Sequence, residues 1–68
     1  MTITVLVNGE RHALQAPLAL DALVATLTNA HRGVAAALNE TVVPRTRWPS
    51  TPLADGDRVE ILTAAQGG

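Results

Sequence analysis

TITVLVNGERHAL, residues 2 to 14, decides the fold. Ile3, Val5 and Val7 alternate with Thr2, Thr4 and Leu6, the two-residue period of a strand with one buried face. Asn8-Gly9 follows at once. Asn-Gly between apolar runs is the sequence of a type I′ turn, whose two central residues both need positive φ, so Glu10 to Leu14 reads as the returning strand of a hairpin.

Working outward, Pro17 breaks that strand and from Leu20 the period changes. Leu20, Leu23, Val24 and Leu27 fall at i, i+3, i+4 and i+7, one apolar stripe, and predict a helix from Leu20 to about Ala30. Asp21 in the first turn, with His31 and Arg32 near the end, suits the helix dipole, and Gly33 is the natural left-handed stop. No Ser, Thr, Asn or Asp precedes Leu20 to cap it. Val34 to Leu38 (VAAAL), bounded by Gly33 and Asn39, reads as a buried strand against the helix propensity of its alanines. Asn39 to Thr41 reads as a turn, Val42 and Val43 as a very short strand, and Pro44 to Pro52 as an irregular or single-turn connection. Asp55-Gly56-Asp57 is a further turn. It delivers Arg58 to Thr63 as the last strand, with Val59 and Ile61 facing one way and Arg58, Glu60 and Leu62 the other. The predicted class is α+β, one mixed sheet with a helix across one face.

Sixty-eight residues make one domain near the lower size limit for independent folding, too small for a deep active-site cleft. At 47% hydrophobic and 16% charged, the chain has the apolar surface that disordered chains lack. It has no cysteine, hence no disulfide framework and no thiolate nucleophile, and its two histidines, His12 and His31, are read as solvated surface residues rather than metal ligands. The net charge of −1, from five arginines, no lysine and six acidic residues, leaves no footprint for nucleic acid or anionic lipid, so the expected partner is protein. No stretch reaches transmembrane length and no basic segment precedes an apolar run at the start, so the expected location is the cytoplasm.

The chain ends Thr63-Ala64-Ala65-Gln66-Gly67-Gly68. Glycine loses the most conformational entropy on ordering, so stability does not ask for it here. Its value lies in what it lacks. A tail of five residues, 64–68, reaches roughly 17 Å beyond the last strand, and with no Cβ on Gly67 or Gly68 it passes a narrow channel and presents an unhindered carboxylate. A carboxylate is a poor electrophile, so chemistry at Gly68 needs prior activation, most simply as an acyl adenylate made by a separate nucleotide-using enzyme. The glycines of this chain form no phosphate-binding motif of their own.

Taken together, these features resemble the ThiS family of sulfur carriers in thiamine biosynthesis, within the ubiquitin-like β-grasp superfamily. The resemblance covers essentially the whole chain. It rests on the opening strand with Asn8-Gly9, the single helix, Ala37-Leu38-Asn39, Val42-Val43-Pro44-Arg45 with Trp48, Leu53-Ala54-Asp55-Gly56-Asp57, and Gly67-Gly68. Two features depart from the family pattern: Glu40-Thr41 stands where a glycine-containing turn is expected, and the helix lacks a hydroxyl cap.

The resemblance implies a β-grasp domain over residues 1–63, with a four- to five-stranded sheet, and a flexible tail over 64–68. It implies a carrier and not an enzyme, one that binds no cofactor itself. An E1-like adenylyltransferase of the ThiF or MoeB kind uses ATP and Mg²⁺ to adenylate Gly68, a persulfide donor converts the terminus to a thiocarboxylate, and thiazole synthase, ThiG, takes the sulfur. Gly67, Gln66 and Ala65 then thread the partner's channel, and the carrier alone is a monomer.

Related carriers meet their activating enzymes through the open sheet face, which marks Leu62 and Leu6 as a partner surface, with ordinary exposed leucine as the alternative. Trp48 is expected to close the core beneath the proline-rich connection, Arg45 and Arg47 to be solvated, and Asp55 and Asp57 to form a turn and not a catalytic pair. The rival functions are the small subunit of molybdopterin synthase, a protein modifier forming isopeptide bonds, and an interaction domain with an inert tail.

Overall fold

The first turn settles as its residues require. In the computed structural model, which describes residues 1–28 and 33–63, Asn8 and Gly9 both hold positive φ, 51° and 85°. They join β1 (Thr2–Val7) to β2 (Glu10–Gln15) through the pair Val7↔Glu10. The later elements are the helix α1 (Leu20–Leu27), β3 (Val34–Leu38), β4 (Thr41–Val43), a 3-10 helix (Arg45–Ser50) and β5 (Arg58–Thr63). The five strands form one mixed sheet in the order β2-β1-β5-β3-β4, with β1 and β5 parallel and every other pair antiparallel. The last strand therefore lies in the middle of the sheet.

Alternation puts Ile3, Val5 and Val7 of β1, Ala36 of β3, and Val59 and Ile61 of β5 on one face, where they are buried against Leu20, Leu23 and Val24 of α1. Trp48 and Leu53 complete this core. As expected for Trp48, its ring is 5% exposed and its Nε1–H donates to the Val43 carbonyl at 2.9 Å, which satisfies the one polar atom a buried indole brings. Arg45 is exposed, and its guanidinium lies over that ring, 5.6 Å from the centroid.

Without a hydroxyl cap, α1 is anchored by tertiary contacts. The Leu20 N–H donates to the Thr51 carbonyl at 2.8 Å and the Leu53 N–H to the Leu18 carbonyl at 3.1 Å. These bonds flank the bridge between Ala19 and Pro52. Pro52 thus sits where no donor is needed, which is why the connection tolerates it.

Several expectations need correction. The helix ends at Leu27, not Ala30: Thr28 is already extended (φ −153°, ψ 147°), and Thr26 spends its hydroxyl on the Leu23 carbonyl. The last helical turn holds no basic residue. Ala30, His31 and Arg32 lie outside the described residues, and Gly33, though at φ 74°, leads into β3 instead of ending the helix. Thr41 belongs to β4, paired with Leu38, and the connection after it is a six-residue 3-10 helix, more ordered than a single turn. His12 is not fully solvated. It stands opposite Val5 on the helix side of the sheet, 31% exposed, with Nε2 3.5 Å from the Glu10 carboxylate. Among the described residues no helix is long and apolar enough to cross a membrane.

The β3–β4 turn is the strained one. Its central residues, Asn39 (φ 50°) and Glu40 (φ 73°), both occupy the left-handed region, and Glu40 has no glycine's freedom there. Glu40→Gly is expected to raise unfolding free energy by about 0.5–1 kcal/mol, the left-handed strain relieved less the entropy glycine adds to the unfolded chain. Urea denaturation reads the change, and a loss of stability would mean the turn is not strained. Adjacent positions on β5 should differ sharply: Ile61→Ala should cost about 2–4 kcal/mol, while Leu62→Ser should stay within about 0.5 kcal/mol.

Candidate functional site

The site begins with the turn that launches β5. Asp57 caps it: one carboxylate oxygen accepts from the Ala54 N–H at 2.8 Å and the other from the Asn39 side-chain amide at 3.1 Å. Asn39 in turn accepts from the Arg58 N–H at 2.9 Å, and the Asp55 carboxylate accepts from the Thr4 N–H at 2.8 Å. Both aspartates are thus occupied by backbone and turn, as their place around Gly56 suggested. Short acceptors here replace the peptide partners a turn cannot offer.

From this base β5 runs between two neighbours. Against β3 it pairs from Leu38↔Val59 to Val34↔Thr63, up to its last residue. Against β1 the pairing covers only Leu6↔Arg58 and Val7↔Val59, after which the Asn8 side chain takes over. The strand is held on both edges nearly to its end at Thr63, immediately before the tail. Gly68, Gly67, Gln66 and Ala65 lie outside the described residues.

On the sheet face away from the helix, register places Leu62 beside Ala35, Glu60 beside Ala37, and Ala37 beside Val42. Leu62 is 70% exposed and Val42 72%, so these two and the alanines between them form an apolar strip leading to the root of the tail. Arg58 and Arg11 stand beside Leu6 on the same face. Leu6 is half-buried, not exposed as expected; β5 and β3 both lie between its strand and that of Val42, and it is level with Arg58, four residues before Leu62. The structure thus separates the two leucines that the sequence grouped and places Leu62 beside Ala35, on the same face as Ala37 and its partner Val42, which sequence reasoning did not single out. The alternation of Thr41–Val43 was the available signal for Val42. Which strand it would meet depended on the strand order.

On the helix side, an open depression of about 630 Å³ adjoins Thr63, with Asn8, Glu10, His12, Leu27 and Thr28 among its walls. Among the described residues no group of three or more His, Asp or Glu comes together to hold a metal ion.

This arrangement has counterparts in other proteins. A protein of Pyropia yezoensis described as uncharacterized protein ycf40 is 35% identical over 66 residues, covering 97% of this chain and 93% of that protein. A thiazole synthase of Paramagnetospirillum magneticum is 32% identical over 62 residues, 91% of this chain but 19% of that protein. The crystal structure of the thiamine biosynthesis protein ThiS from Geobacter metallireducens superposes with a TM-score of 0.78 at 30% identity, covering 97% of this chain and all of that one. It shares the five-stranded mixed sheet and single helix of the ubiquitin-like β-grasp fold. With the ThiS family model matching residues 5–68, through the glycine pair itself, the chain belongs to the ThiS family.

Proposed function

We propose that this protein is the sulfur carrier for thiazole formation in thiamine biosynthesis, with Gly68 as the atom-bearing terminus. The observation that carries this is the family match extending through Gly68 on a fold whose central strand ends at the tail's root. The segment of a thiazole synthase that resembles this chain supports thiazole synthase as the receiving partner, because fusing a carrier to its acceptor raises their effective concentration.

The chemistry follows from the terminus. The Gly68 carboxylate attacks the α-phosphate of ATP on an E1-like activating enzyme, with Mg²⁺ balancing the phosphate charge, and pyrophosphate leaves. A persulfide on a donor protein then displaces AMP, forming the carbon–sulfur bond, and a second thiol cleaves the acyl disulfide to release the thiocarboxylate. This sulfur is a good nucleophile held on an acyl group, so a chain with no cysteine can deliver it to thiazole synthase. Ala65, Gln66 and Gly67 thread the channel, and Leu62 with Val42 and Ala35 forms the docking strip. The carrier acts as a cytoplasmic monomer between encounters.

Protein purified from its native host should take up a single thiol-alkylating group, mapped by intact mass and fragmentation to Gly68. A terminus that never alkylates, from cells actively making thiamine, overturns the assignment. Deleting Gly68 should abolish thiocarboxylate formation with no change in urea midpoint. Leu62→Arg should raise the activating enzyme's KM for the carrier about tenfold, the scale of a central interface residue.

A further inference from the structure

We infer that Asn8 is a positioning residue for chemistry at the tail, through a clamp its side-chain amide places on β5. The inference rests on the carrier function proposed above.

Parallel pairing of β1 with β5 advances in steps of two residues. The Leu6 N–H donates to the Asp57 carbonyl at 2.9 Å and the Asn8 N–H to the Val59 carbonyl at 2.9 Å. The next step needs an acceptor for the Ile61 N–H and a donor for the Ile61 carbonyl. The main chain cannot supply them, because at Asn8 it turns away into the hairpin with φ 51°. The side chain does. Oδ1 accepts from the Ile61 N–H at 2.9 Å and Nδ2 donates to the Ile61 carbonyl at 3.1 Å, both part-buried. One amide thus reproduces a peptide group and extends the ladder after the strand itself has ended.

Ile61 stands close to the reactive end of the chain. It is three residues from Ala64, where the tail begins, and the Asn8 amide is its tie on the β1 edge. A stem fixed on both edges sets the direction of exit and limits how many residues must be ordered when the terminus threads a partner's channel. The docking strip of Leu62, Ala35 and Val42 is held from the β3 side and does not depend on this amide. Loss of the clamp should therefore slow chemistry at Gly68 more than it weakens docking.

Two variants of the full chain test this. Asn8→Gly keeps the freedom for positive φ and removes both bonds; Asn8→Asp keeps an acceptor for the Ile61 N–H and removes the donor. Native-state hydrogen exchange should show the Ile61 amide of Asn8→Gly exchanging about tenfold faster or more, with the Leu6 amide unchanged. ATP–pyrophosphate exchange with the host's activating enzyme should show kcat reduced about tenfold in Asn8→Gly, less in Asn8→Asp, and KM within about twofold of the parent.

If all amides accelerate together, or kcat holds while Ile61 opens, the clamp is only structural and the inference fails. If KM rises in proportion to the fall in kcat, Asn8 acts on docking and the inference fails equally. A parent chain that is never adenylated overturns the carrier function, and this inference with it. A parent adenylated no faster than its variants overturns this inference alone.

Discussion

The pairing of the first strand with the last is the contact on which the rest of this structure depends. β1 and β5 are separated by most of the chain, yet they lie side by side and parallel at the centre of the sheet. Closing so long a loop costs entropy that grows slowly with its length, and burial of Val5, Val7, Val59 and Ile61 beneath α1 offsets it. The consequence is positional. The C-terminal strand is supported on both sides, by β1 over its first half and by β3 to its last described residue, Thr63.

Polar side chains of modest length secure that arrangement where backbone cannot. Asn8, Asn39 and Asp55 each bond peptide groups distant in sequence, at turns that launch or flank β5, and Asp57 bonds the Ala54 N–H within its own turn. The side chains of Asn39 and Asp57 also bond one another, so the turn between β3 and β4 is tied to the one that starts β5. In so small a domain each unsatisfied peptide would be a large fraction of total stability. The same economy explains α1, whose first N–H is met by the Thr51 carbonyl in place of a capping hydroxyl.

In the function proposed above, a ThiS-family chain built this way divides labour with its partners. The fold supplies a strand paired on both edges and an apolar strip from Val42 to Leu62, and the sequence adds the glycine pair Gly67-Gly68. Nucleotide binding, activation and sulfur transfer fall to other proteins in the function proposed here. Such a division suits a domain near the lower size limit, because presenting an acyl group needs only a fixed base and a slender tip.

The sequence by itself determined the elements and the tip. The two-residue period of Thr2–Val7 and Arg58–Thr63, the positive-φ demand of Asn8-Gly9, the apolar stripe from Leu20 to Leu27 and the glycine pair were all legible, because local sterics and periodicity act within a few residues. Where the helix stopped was less so: Thr28 turns extended directly after the stripe's last residue, whereas His31, Arg32 and Gly33 suggested a later end. Only the tertiary structure decided that β5 lies between β1 and β3, that Leu62 pairs with Ala35 and Val42 with Ala37 on one face while Leu6 stays apart, that His12 turns toward the helix side, and that Asn8 reaches Ile61. Those outcomes depend on strand order and register, set by which apolar faces bury together across the whole chain, and no local window of residues contains that information.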